Sequence, residues 1–101
     1  MDVDQVAEAL EVEWDIEGFF DQVRNGVFDP KRACHVLGLL REIDVDDSQV
    51  LPRRLVSLLW YMPMFLGWQL QRVEEKGGEI ASFERFILDV QNILEEVLGT
   101  P

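Results

Sequence analysis

The sequence is poor in the residues that most often carry out chemistry. It has one cysteine, Cys34, and one histidine, His35, in 101 residues. A single cysteine excludes a disulfide within the chain and favours a reducing compartment, which indicates a cytoplasmic protein. Because neighbouring positions of a helix point in different directions, Cys34 and His35 lack the spacing of metal ligands. We expect both to be structural.

The signatures of common enzymes are also missing. No serine or cysteine nucleophile is spaced with a histidine and an acid as in a catalytic triad. Gly77-Gly78 lacks the lysine and the Ser/Thr of a phosphate-binding loop. The acidic segment 44–49 differs from a calcium loop, because its sixth position is Gln49 rather than glycine. We therefore expect a protein that is not an enzyme and uses no cofactor and no metal.

Basic residues are scarce, since nine Lys and Arg stand against twenty Asp and Glu, for a net charge of −11. Such a surface repels phosphates, so we expect no nucleic-acid partner. The acidic start also differs from the basic start of a signal peptide. Residues 1–23 contain eight acids and no base. This surplus exceeds what solubility requires and favours a basic protein partner. The alternative is that these acids form ion pairs with the basic middle helices of the same chain. Such surface pairs stabilise a fold by only about 0–1 kcal/mol each.

The apolar residues indicate one folded domain over residues 1–101. A hydrophobic fraction of 48% is ordinary for a globular chain of this length. Apolar residues recur at helical spacing, which predicts an all-α, single-domain bundle of four or five helices.

The central feature is the charge-free run 55–71, which holds two of the three tryptophans and the only tyrosine. A helix that is apolar on all sides is expected to be buried, so we place Trp60 in the core. Pro63 removes a helical hydrogen bond, which predicts a kink near Met62 or a break into two pieces. A membrane span is the alternative, since the run approaches the roughly 17–25 residues that cross a bilayer. Gly67 and the amphipathic remainder of the chain favour the core helix.

Capping residues place the other elements. Helix starts are marked by Asp, Ser or Pro, and helix ends by Gly or Asn. The predicted elements are a helix from Asp4 to about Leu10 capped by Asp2 or Asp4, an extended linker from Glu11 with a strand as its alternative, a helix from Asp15 to Asn25-Gly26, a helix from Asp29-Pro30 to about Ile43, the central helix from Pro52 to Gly77-Gly78, and a helix from Ser82 to Gly99.

The predicted binding surface combines acids with one aromatic anchor. Its residues are Glu11, Glu13, Trp14, Asp15, Glu17 and Asp21, with Asp44, Asp46 and Asp47 as a second patch. The carboxylates would pair with lysines and arginines of the partner, and Trp14 would be the desolvated anchor. The alternative interface is a hydrophobic groove near Trp68. The protein alone is expected to be a monomer, or else a homodimer joined through Leu88, Ile93 or Trp68.

Two stretches resemble, in character, the small acidic helical immunity proteins of bacterial toxin systems. They are EVEWDIEGFFDQVRNGVFDP, in which acids are interleaved with aromatic residues, and RRLVSLLWYMPMFLGWQ. The resemblance implies a protein that neutralises a cognate toxin, often a nuclease, by tight one-to-one binding over its basic active-site surface. A small helical adaptor, a chaperone-like domain or a homodimeric regulatory domain has the same character and is the alternative.

Overall fold

The computed structural model describes residues 1–46 and 48–101. Over these residues the chain is helical and contains no strand, which confirms the predicted all-α class. The helices are α1 (Val3–Trp14), α2 (Phe19–Arg24), α3 (Pro30–Arg41), α4 (Arg53–Trp68), α5 (Leu70–Glu75) and α6 (Ile80–Leu98). Only Gln69 separates α4 from α5, so these two occupy the place of the predicted central helix and the bundle has five helical units.

Local hydrogen bonds fix the starts of α1 and α3 as the sequence predicts. The Asp2 carboxylate accepts from the Gln5 backbone N–H at 2.8 Å, and the Gln5 side chain accepts from the Asp2 N–H at 2.9 Å. This reciprocal pair satisfies two N–H groups that a helix start leaves without partners. Asp29 caps α3 without a reciprocal bond, since its carboxylate accepts from the Lys31 N–H at 3.0 Å.

The corner between α1 and α2 differs from the prediction. Residues Glu11 to Trp14 complete α1 instead of forming an extended linker. Asp15 is the C-cap of α1, and Gly18, rather than Asp15, precedes the first turn of α2. A Cβ at Gly18 would lie 2.4 Å from the Glu13 carbonyl oxygen, so glycine allows the two helices to meet this closely.

Two other boundaries also differ from the prediction. Helix α6 begins at Ile80 with Glu79 as its N-cap, so the predicted Ser82 cap is wrong. The Ser82 hydroxyl instead donates to a Glu79 carboxylate oxygen at 3.2 Å. Helix α3 ends at Arg41, two residues before the predicted end at Ile43, yet Ile43 is buried.

The core lies where α1 and α6 pack against α4 and where α3 packs against α1 and α6. Helix α1 packs against α2, α3 and α4, whereas α6 packs against α3, α4 and α5. The longer helices contribute buried residues at three- and four-residue spacing, whereas α5 contributes Val73 alone. The inward residues of α4 and α6 are Leu55, Leu59, Met62, Phe65, Leu66, Phe83, Phe86, Val90 and Leu94.

Helix α4 is buried on one side only, which corrects the prediction for the central helix. Trp60 is 54% exposed, so its placement in the core is wrong. The packed helices cover the side of α4 that carries Leu59, and no described element lies over the opposite side. Helix α4 continues through Pro63 without a break, and a kink there stays a prediction. None of the described helices combines the length and the apolarity that crossing a bilayer requires.

Candidate functional site

The outer side of α4 carries a line of exposed apolar residues, which we call the aromatic stripe: Trp60, Tyr61, Met64 and Trp68. Trp60, Met64 and Trp68 follow at four-residue intervals, so they lie above one another along the helix. Tyr61 joins them, because its ring centroid lies 5.8 Å from that of Trp60 and 5.8 Å from that of Trp68. The three rings therefore form one continuous surface.

The aromatic stripe is large enough to be a binding surface. Trp60, Tyr61 and Trp68 are 54%, 37% and 63% exposed. Since a whole aromatic side chain presents roughly 150–250 Å², the three rings together expose about 300 Å² of apolar area. Apolar patches of about this size on monomers are often functional.

A cleft opens beside the stripe, between α1, α2 and α4. Its lining consists of Trp14, Arg24, Ser57, Leu58, Trp60 and Tyr61, and its volume is about 260 Å³. Arg24 is the one charged residue among these six. Its guanidinium carbon lies 5.4 Å from the centroid of the Phe65 ring, within the range of a cation–π contact. We call this feature the Arg24 cleft.

Trp14 is a wall of the Arg24 cleft rather than the exposed anchor that the sequence predicts. Its ring stacks on Phe20 with centroids 4.2 Å apart and meets Phe65 edge-on at 4.8 Å. The indole Nε1 is buried and has no hydrogen-bond acceptor in the described part of the chain. Trp14 lies one helical turn after the buried Leu10, so both side chains are on the side of α1 that faces the core.

Glu13 does not belong to the exposed acidic surface. It is 3% exposed, and the Arg32 guanidinium donates to both of its carboxylate oxygens, with the Oε2 contact at 3.1 Å. Glu13 shares the inward side of α1 with Val6 and Leu10, which explains its burial. This carboxylate joins α1 to α3 and is not free to meet a partner, so its assignment to the binding surface is corrected.

Two other acids of the predicted surface also have partners within the chain. Glu11 pairs with Arg54 at 2.7 Å. Asp21 accepts from the Glu17 backbone N–H at 3.0 Å and lies 3.8 Å from Arg24. Asp15 and the side chain of Glu17 remain exposed at the α1–α2 corner. Part of the acidic segment therefore pairs within the chain, as the intramolecular alternative predicts. Within residues 11–21 of the predicted surface, the exposed carboxylates are those of Asp15 and Glu17 at the α1–α2 corner.

The second acidic patch precedes α4 in the chain. Asp44 and Asp46 are exposed, and Asp47 lies outside the described residues. The Ser48 hydroxyl and the Ser48 backbone N–H both donate to the Asp46 carboxylate. These hydrogen bonds hold the pKa of Asp46 below its ordinary value, because they favour the charged form.

We expect Ser48→Ala to raise the pKa of Asp46 toward its ordinary value. A carboxyl group with a lowered folded-state pKa adds stability above its unfolded pKa, and this contribution disappears as the pH falls through the folded value. The stability difference between Ser48→Ala and the parent should therefore be present at neutral pH and vanish in acid. NMR titration of the Asp46 carboxyl carbon measures the shift. Ser82→Ala is the matched control, because Ser82 bonds Glu79 instead; an unchanged Asp46 pKa in Ser48→Ala would contradict the assignment.

The sequence offered a hydrophobic groove near Trp68 as the alternative interface, but it placed Trp60 in the core and gave Arg24 no role. It therefore identified neither the whole stripe nor the cleft. The same side of α4 also carries Arg53, Ser57 and Gly67, all exposed. These small and polar residues at helical spacing were the signal for an outward side.

No group of three His, Cys, Asp or Glu side chains within residues 1–46 and 48–101 is arranged to hold a metal ion. Comparison of the chain with models of protein families, with curated proteins and with solved structures finds no match.

Proposed function

We propose that this protein is a non-enzymatic protein-binding module that holds its partner against the aromatic stripe. The observation that carries the proposal is the exposure of Trp60, Tyr61, Met64 and Trp68 along one side of α4. Aromatic residues and methionine are enriched in interface cores, and Trp and Tyr are the commonest energetic hot spots.

We propose a basic protein as the partner. The chain carries a net charge of −11. Asp15 follows Trp14 at the α1–α2 corner, and Glu95 of α6 shares a shallow surface depression with Pro63. A partner surface with an apolar centre and a rim of lysines and arginines fits this arrangement, because rim charges steer encounter and select among partners.

In its most specific form, the proposal is that the chain is an immunity protein, which neutralises a bacterial toxin in the cytoplasm. A nuclease toxin needs lysines and arginines to hold phosphate, so its active-site surface is basic. An acidic helical protein that places the stripe near that surface would cover the active site. The acidic composition and the resemblance of the two stretches to immunity proteins support this identity.

A helical adaptor or chaperone-like domain is the second candidate. The observation that favours it is the apolar character of the stripe, which contains four neighbouring residues without charge. Such a surface binds an apolar groove or helix of a partner with little dependence on salt.

We expect Trp60→Ala and Trp68→Ala each to weaken partner binding by about 2 kcal/mol, or about 30-fold. Both side chains are more than half exposed, so each change should alter the free energy of unfolding by less than about 1 kcal/mol. The measurement is isothermal titration calorimetry against the protein that the adjacent gene encodes. Leu88→Ala is the matched control, because Leu88 is an apolar residue of α6 that is 47% exposed and is not part of the stripe.

Unchanged affinity in both tryptophan variants would contradict the binding role of the stripe. Association rates, measured by stopped-flow fluorescence at low and high salt, separate the two candidates. A basic toxin should associate more slowly at high salt and with Asp15→Lys, whereas an apolar adaptor contact should respond to neither.

A further inference from the structure

The size of the Arg24 cleft suits one side chain of a partner. Its volume of about 260 Å³ is below the roughly 300–1,000 Å³ of small-molecule sites. The apolar walls of the cleft are the rings of Trp14, Trp60 and Tyr61 and the side chain of Leu58. Side chains that fill such pockets at the centre of an interface supply most of its binding energy.

Arg24 gives this cleft a chemical preference. One side of its guanidinium lies over the Phe65 ring, with 5.4 Å to the centroid. The side chain is nevertheless 53% exposed, and its contact with Asp21 is loose at 3.8 Å. Since Arg24 also lines the cleft, a ring held there can reach the guanidinium group. Guanidinium groups stack on aromatic faces, which a lysine ammonium cannot reproduce.

The walls and Arg24 together select among incoming side chains. A lysine or arginine would be repelled by Arg24. A carboxylate would be attracted by Arg24 but would lose its water among apolar walls. An aromatic ring meets both conditions, because its face suits Arg24 and its apolar surface suits the walls.

We propose that the Arg24 cleft receives an aromatic side chain of the partner, whose ring stacks on the Arg24 guanidinium and against Trp60 and Tyr61. This inference rests on the proposed function, since it names the side chain that the partner contributes. The partner surface is thus an aromatic anchor within a basic rim: the anchor enters the cleft, and the rim meets acids such as Asp15 and Glu95.

The test uses p-cresol, the side-chain analogue of tyrosine, and the three indole N–H signals in the NMR spectrum of the full chain. Trp14 and Trp60 line the cleft, whereas Trp68 does not, so it is an internal control. We expect p-cresol, at concentrations on the order of millimolar, to shift the Trp14 and Trp60 signals in a saturable way and to leave Trp68 unchanged. Butylguanidinium, the arginine analogue, should shift none of them. An equal shift of Trp68, no saturable shift, or an equal response to butylguanidinium would overturn the proposal.

Two variants probe the cleft without touching the core. Ser57 is exposed, so Ser57→Leu should fill the cleft and abolish the p-cresol shifts. Arg24→Gln removes the stacking cation and should weaken p-cresol binding about 2- to 5-fold. Leu88→Ala, on α6, should bind p-cresol like the parent. Parent-like binding in both cleft variants would refute the site.

The outcomes also separate this inference from the proposed function. If p-cresol fails to bind while Trp60→Ala and Trp68→Ala still weaken the partner complex, the aromatic anchor is refuted. The binding role of the stripe is then still supported. If p-cresol binds as expected but the stripe variants leave the partner complex unchanged, the proposed function fails instead.

Discussion

Replacing Arg32 with methionine should lower the free energy of unfolding by about 3 kcal/mol, because the change leaves a buried carboxylate without its partner. Glu13 is 3% exposed, and Arg32 donates to both of its oxygens. Methionine keeps most of the length of the side chain but supplies no N–H group. Urea denaturation at neutral pH, followed by circular dichroism, measures the loss.

Glu13→Gln is the matched comparison. The Arg32 side chain is 36% exposed and reaches water without Glu13, so this change should cost about 1 kcal/mol. The double variant Glu13→Leu with Arg32→Met should recover much of the loss, since well-packed apolar residues often replace an ion pair without penalty. Equal losses in Arg32→Met and Glu13→Gln would show that the Glu13 carboxylate is not desolvated in the folded protein.

Phe20→Ala should destabilise the protein by about 3–5 kcal/mol, as expected for an aromatic residue removed from a packed core. Phe20 is fully buried, stacks on Trp14 and meets Phe19 edge-on at 5.1 Å. The empty space would also release Trp14, so the wall of the Arg24 cleft should loosen. Urea denaturation gives the stability change, and the indole N–H signal of Trp14 in the NMR spectrum reports its environment.

Trp60→Ala is the control for Phe20→Ala, because it removes a larger ring from a site that is 54% exposed. Its cost should stay below about 1 kcal/mol. Similar losses in the two variants would mean that Trp60 is buried in solution and that the stripe is not an exposed surface.

The parts of the fold that local chemistry determines could be predicted from the sequence. Asp2, Asp29-Pro30 and Asn25-Gly26 mark helix ends through contacts within a few residues, and the structure has these ends. Ser82 shows the limit of this reasoning, since a capping residue also fits inside a helix that begins earlier. Helix α6 begins at Ile80, two residues after Gly78, and Glu79 is its N-cap.

The candidate site depends on packing between distant parts of the chain, which the sequence pattern does not contain. Within the uncharged run only small and polar residues such as Ser57 and Gly67 mark the outward side. The large apolar residues Trp60 and Leu59 are told apart by the packing of α1 and α6 on α4. In the same way, Glu13 looks like its exposed neighbours Glu11 and Asp15. Its partner, Arg32, is 19 residues away, and only the packing of α1 on α3 identifies the pair.

The aromatic stripe belongs to a helix that the core already holds in place from its opposite side, through Leu55, Leu59, Met62 and Leu66. Tryptophan and tyrosine rotate about only two side-chain torsions, so little conformational entropy remains to be lost when a partner docks. Binding should then resemble the meeting of preformed surfaces, with small backbone movement. Substitutions in the stripe should accordingly shorten the lifetime of the complex far more than they slow its formation.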